Sequence, residues 1–152
     1  MAELRALAGE LGASEVSTYI ASGNLLCEPP GDPHSFAAAL RAGVRERFGF
    51  DREVVHRTAV QVRDALLEHP FAVENPAFSY VKSLEATPTA DAIGEAQSLA
   101  RGDDEWRAIG AQLHVRYAQG AGRAQLSAES LLRALGVWFA DSLTWSVGLA
   151  AI

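Results

Sequence analysis

Cysteine, lysine and long apolar runs are scarce in this chain of 152 residues, and each scarcity excludes something. Cys27 is the single cysteine, so no disulfide can close within the chain and no thiolate cluster can hold a metal. It sits in the apolar run Leu25-Leu26-Cys27 and reads as a small hydrophobe rather than a reactive thiol. No segment approaches the ~18 consecutive apolar residues of a membrane-spanning helix. Glu3, Arg5 and Glu10 interrupt the N-terminus where a signal peptide would need an apolar stretch. A cytoplasmic location without membrane contact is therefore expected. Lys82 is the only lysine, arginine supplies the other cations, and the formal net charge is −6. Nucleic-acid binders need clustered cations to displace counterions from phosphates, so nucleic acid is not an expected partner.

Catalytic signatures are missing too. The four histidines, His34, His56, His69 and His114, form no His-x-His or HExxH pattern and no Cys/His spacing, so no metal or cofactor is expected. They read as structural or solvated, His114 on the wet face of a strand and His69 at a helix end, where a cation is mildly favoured. Ser22 lies outside any Gly-x-Ser-x-Gly elbow, and no residue stands out as acid, base or nucleophile.

What remains is ordinary globular material, 49% hydrophobic and 21% charged. Leu4, Leu7, Ala8 and Leu11 have helical spacing, and Gly12 suits a left-handed helix end. Val16 to Ala21, the turn Ser22-Gly23-Asn24 and Leu25 to Cys27 read as a hairpin. Asp32 and Pro33 open a helix carrying Phe36, Leu40, Val44 and Phe48, closed by Gly49, and Glu53 to His56 read as a short strand. Thr58 and Gln61 make a capping box for a connecting helix that stops at His69-Pro70. A strand from Phe78 to Leu84 follows, then a helix starting at Thr87-Pro88. Trp106 to Ile109, Gly110 and Leu113 to Tyr117 form a second hairpin whose later strand alternates apolar and polar, one face buried and one wet. Ser127 caps a helix through Leu131, Leu132 and Leu135, ended by Gly136, and the period-two tail from Leu143 to Leu149 favours a strand with Trp145 inward.

This element order predicts an α+β fold of tandem ferredoxin-like (βαββαβ) halves with antiparallel sheets covered on one face. Residues 1–57 make the first half and residues 58–152 the connecting helix and second half, together one compact unit. The second half has a strand before its first helix and the first half begins without one. The first half is therefore expected to lack its first strand, with the true start upstream of Met1. Two copies would then pair through the gap as a homodimer.

The motif Thr18-Tyr19-Ile20-Ala21-Ser22-Gly23-Asn24 resembles the bacterial family known as domain of unknown function 1697, whose TYIQSGN-like segment follows a helix beginning Met-x-Glu-Leu-Arg. Met1-Ala2-Glu3-Leu4-Arg5, Arg47-Phe48-Gly49-Phe50, Arg57-Thr58-Ala59 and His69-Pro70-Phe71 keep the family's order, as does a strand followed by Gly-x-Gly from Tyr117 to Gly122. The resemblance implies tandem ferredoxin-like units and no established activity or cofactor. Departures are Ala124-Gln125-Leu126, where the family has Ser-Lys-Leu, and the absence of its Arg-Asn-Trp near Phe139 to Leu143.

The best candidate site is Gly120-Ala121-Gly122-Arg123, between a strand and the helix capped by Ser127, where loop amides and a helix start hold anions. Arg123 would add a bidentate contact. Ser22, Gly23 and Asn24 form a second polar tip with exposed amides. Asp103-Asp104-Glu105 lacks the alternate spacing of a calcium loop and reads as a solvated turn. Trp106, Trp138 and Trp145 read as core rather than as base-stacking platforms, with Tyr117 beside Arg116 the one hint of an RNA-binding face. The expected role is a non-enzymatic binding or interaction module, with a small anionic ligand as its candidate partner. The alternative is an enzyme of unknown reaction using the Gly-rich loop and Arg123.

Overall fold

The computed structural model describes residues 1–19, 24–137 and 139–146, the last stretch by its backbone only. Among the described residues five helices and two antiparallel sheets make the fold α+β, and the chain divides into two compact units, Met1–His56 and Arg57–Ile152.

In the first unit, helix α1 (Ala2–Glu10) precedes strands β1 (Ser14–Tyr19) and β2 (Asn24–Glu28), then helix α2 (Pro33–Phe48). Gly12, at φ +90°, carries the chain out of α1, where an L side chain would be strained. β1 and β2 pair antiparallel with Thr18 opposite Leu25 and Ser17 opposite Leu26, after an irregularity where Glu15 takes φ +52°. Asp32 caps α2 by accepting from the Ser35 amide at 2.8 Å, Pro33 presets the first turn, and Gly49 ends it left-handed. The resulting stripe, Phe36, Leu40, Val44 and Phe48, packs on Leu4, Leu7 and Ala8 of α1 and on Leu11 just after it, with Val16 and Leu25 of the hairpin. Gly43 admits the Leu7 side chain, which would lie 2.8 Å from a Cβ there.

The strand expected at Glu53 to His56 does not form. A strand exists only through a partner, and this segment is held beside α2 instead: Arg41 binds Asp51 at 2.7 and 2.9 Å and also pairs with Glu53, while Val54 packs into the helical core.

The second unit opens on helix α3 (Ala59–Leu67). The Thr58–Gln61 capping box forms in both directions, at 3.2 and 2.8 Å. Strand β3 (Ser79–Leu84), helix α4 (Ala90–Ala96), strands β4 (Glu105–Ile109) and β5 (Gln112–Arg116), helix α5 (Ala128–Leu135) and strand β6 (Phe139–Ser146) follow. α4 begins two residues later than expected, because Thr89 rather than Thr87 accepts from a first-turn amide, that of Ala92. The sheet order is β4-β5-β3-β6, every pair antiparallel. Ser127 and Gly136 bound α5 as its sequence demands.

Leu84, Trp106, Leu113 and Val115 pack with Ala96 of α4 and Leu131, Leu132 and Leu135 of α5. Each such buried leucine contributes about 2 kcal/mol of transfer free energy. The opposite face is not wet. Val81, with no exposed surface, packs on Ala65 and Leu66 of α3, so this sheet is covered on both faces rather than one. β6 runs as a strand to Ser146 with Trp145 in register opposite Val81. The side chains of Trp138, Leu143 and Trp145, and all of residues 147–152, lie outside the described residues.

Candidate functional site

The Gly-rich loop is built around a carboxylate. Asp104, 4% exposed, accepts from the Ala118 amide with Oδ1 at 2.8 Å, and from the Gln125 and Leu126 amides with Oδ2 at 2.7 and 2.9 Å. Asp104 is thus no part of a solvated turn. Its backbone bonds draw both ends of the 118–126 loop onto the start of β4. Charge-assisted bonds of this kind are roughly twice as strong as neutral ones. Glu105 also has a structural task, pairing with Arg116 on the neighbouring strand. Gly120, at φ +83°, faces the Phe78 ring, whose Cε1 would lie 2.8 Å from a Cβ there. Its amide donates to the Tyr117 carbonyl, and the amides of Arg123 and Ala124 close a short 3-10 turn.

Of the residues expected to bind an anion, Gly120, Gly122, Arg123 and Ser127 therefore do share one loop and helix start. Gly122 is uncrowded and Arg123 exposed, but the Ser127 hydroxyl is occupied by the Ser130 amide at 3.2 Å. Asn24 begins β2 in the other unit, and Ser22 and Gly23 lie outside the described residues. Tyr117 is 6% exposed and packs in the core beside Trp106, so it presents no open ring to a base.

A second polar cluster lies under α3. His114, expected on a wet face, has no exposed surface, and its Nδ1 stands 3.4 Å from Nδ1 of His69. A contact between these atoms needs one N–H and one lone pair, so two neutral rings would take opposite tautomers. Burial, followed by His69 and Arg107, pushes the His114 pKa down to about 4, and burial lowers that of His69. Among the described residues neither Nε2 has a hydrogen-bond partner. Phe71 meets His69 edge-on at 5.5 Å, and the Arg107 guanidinium lies over the Phe71 ring. His34 and His56, by contrast, are exposed. Cys27 is half-buried, and burial with Glu28 raises its pKa, the opposite of a reactive thiol. Among the described residues no group of three or more His, Cys, Asp or Glu side chains could hold a metal ion. No described helix is long and apolar enough to cross a membrane.

Asp104 and His114 are the residues sequence reasoning misplaced. A loop with several amides free of any strand or helix needs an internal acceptor, but nothing in the residues around Asp104 marks it as that acceptor. For His114 the signal was the amphipathic α3, an apolar face that had to be buried against something.

One family model matches residues 1–114 of the chain, that of a protein of unknown function (DUF1697). No curated protein and no solved structure matches it.

Proposed function

This chain belongs to the DUF1697 family of proteins of unknown function, and on that footing we propose that it is a binding and interaction module of two ferredoxin-like halves rather than an enzyme. The second unit supports the architecture. Helix α4 connects β3 to β4, which flank β5, and α5 connects β5 to β6, which flank β3. That interleaving is the split βαβ pattern. The first unit repeats its inner part, α1-β1-β2-α2.

The observation that carries the interaction role is the unequal treatment of two equivalent strands. β5 pairs on both sides, with β4 and β3, whereas its counterpart β2 pairs among the described residues with β1 alone. A lone two-stranded hairpin is marginal, and its open edge is a template for another strand. Leu26 and Tyr19 are 53% and 49% exposed on this hairpin. The partner that fits is a second copy, β2 against β2 about a two-fold axis. Light scattering should find a dimer across the micromolar range, and Leu26→Lys with Tyr19→Lys should make it a monomer of unchanged helicity. A wild-type monomer throughout that range overturns the dimer.

The same reading includes a weak site for a small anion. Its support is the exposed Arg123 guanidinium beside the uncrowded Gly122. The Asp104 carboxylate behind the loop already takes three of its amides, which limits the affinity.

A further inference from the structure

β4 is the outer strand of the four-stranded sheet, paired only with β5 among the described residues. The β4–β5 turn has two residues, Gly110 and Ala111, with Gly110 at φ +53°. Two-residue turns of this kind close on a hydrogen-bonded pair, here Ile109 and Gln112, and pairs alternate along an antiparallel ladder. Arg107–His114 and Glu105–Arg116 are then also hydrogen-bonded pairs. The N–H and C=O groups of Trp106 and Ala108 consequently point out of the sheet, towards nothing in the ladder.

Those groups open into a trench of about 270 Å³ lined by four consecutive residues of β4, Glu105 to Ala108. Ile93, Gln97 and Arg101 form one wall and Phe71 the other. A strand edge between two walls has the dimensions of an extended chain and matches the geometry in which peptides add to sheets. The charge is one-sided. Glu105 is neutralised by Arg116, which leaves the guanidiniums of Arg101 and Arg107. Arg101 spends one nitrogen on Gln97, and Arg107 lies over the Phe71 ring.

We propose that this trench is a docking site for an extended acidic peptide segment of a partner protein, added as a fifth strand along β4. Its backbone pairs with Trp106 and Ala108, and its carboxylates lie at Arg101 on one wall and Arg107 on the other. Alternate residues of a strand face opposite ways, so both walls are served by one segment of about six residues, the usual strand length. The site is in the second unit and does not involve the β2 edge.

The test uses the full chain and a fluorescein-labelled peptide of alternating Glu and Val, with a Lys/Val peptide as the charge-reversed control. Anisotropy should show saturable binding of the Glu/Val peptide below about 1 mM and at least about tenfold weaker binding of the Lys/Val peptide. Arg101→Glu with Arg107→Glu should weaken the Glu/Val peptide by about tenfold or more. N-methylation of the peptide's alternate amides should weaken it similarly, and amide NMR shifts should concentrate in residues 105–108. No binding at about 1 mM, equal binding of the two peptides, indifference to N-methylation, or shifts centred elsewhere would each overturn the proposal. So would cross-linking of β4 to β4, which would make the trench a contact between copies. Because neither substitution touches β2, failure here leaves the dimer result standing, and the reverse holds too.

Discussion

Removing the Asp104 carboxylate tests the account of the Gly-rich loop. Three backbone amides converge on its two oxygens at 2.7 to 2.9 Å, and the bond to Leu126 is buried. A hydrogen bond to a charged group contributes about 1.5–3 kcal/mol net, and a buried donor left unpaired costs about 1–3 kcal/mol. These terms overlap, because water can reach the partly buried amides of Ala118 and Gln125 once the loop loosens. Asp104→Ala should therefore destabilise the second unit by about 3–5 kcal/mol. Asp104→Asn keeps one acceptor oxygen but turns an NH2 group towards an amide donor, for about 2–3 kcal/mol. The control is Asp103→Asn, an exposed neighbour, expected within about 0.5 kcal/mol of wild type. Urea titration followed by tryptophan emission is the assay. All three tryptophans, Trp106, Trp138 and Trp145, belong to the second unit, so the signal reports on it alone. Equal midpoints for Asp104→Asn and Asp103→Asn, at unchanged slope, would show that the carboxylate does not hold the loop.

Stability should also fall in mild acid through His114. Its folded pKa of about 4 lies below the ordinary 6.5, so the unfolded chain takes the proton first. The contribution is full above about pH 6.5 and is lost as pH falls towards 4, at about 1.36 kcal/mol per unit at most. Urea midpoints at several pH values should show a shallower slope for His114→Gln over that window, and an identical slope would refute the assignment. Gly120→Ala should cost about 2–4 kcal/mol, from its positive φ and the Phe78 contact, while Gly122→Ala stays within about 0.5 kcal/mol; equal melting temperatures for the two would contradict this. Millimolar phosphate should raise the melting temperature by a small amount that Arg123→Ala removes, and no shift with phosphate, sulfate or nucleotide would end the anion proposal.

Signals confined to a few neighbouring residues were legible in the sequence. Asp32 with Pro33, Thr58 with Gln61, Ser127 and the left-handed Gly49 and Gly136 all act within one helical turn, and each bounds a helix where expected. The β4–β5 hairpin, turning at Gly110, was legible for the same reason, whereas Ser22 and Gly23 of the first expected turn lie outside the described residues. Glu53 to His56 misled because β-like composition does not supply a partner strand, and Arg41 offers the segment salt bridges instead. His114 misled because alternation along β5 describes one strand, whereas its burial is set by α3 and His69, 45 residues earlier. Asp104 was illegible in the same way, since its amide partners lie 14 to 22 residues downstream. The candidate site was legible as a place, a glycine-rich turn before a capped helix. That its amides already face an internal carboxylate was not.

The position of α3 changes what kind of surface the second unit has to offer. A ferredoxin-like RNA-binding sheet reads bases with aromatic rings on the open face of its two central strands. Here the central strands are β5 and β3, and the corresponding positions hold His114 and Val81, both without exposed surface, His114 against His69 and Val81 against Ala65 and Leu66. To lay a base there, α3 would have to lift off, exposing an apolar face and two imidazoles whose Nε2 atoms have no partner among the described residues. What would be a reading platform in such a module is interior in this one. A partner that leaves α3 in place would meet the rim of the sheet, where backbone spacing and the charge of flanking side chains, rather than stacked rings, are what the protein presents.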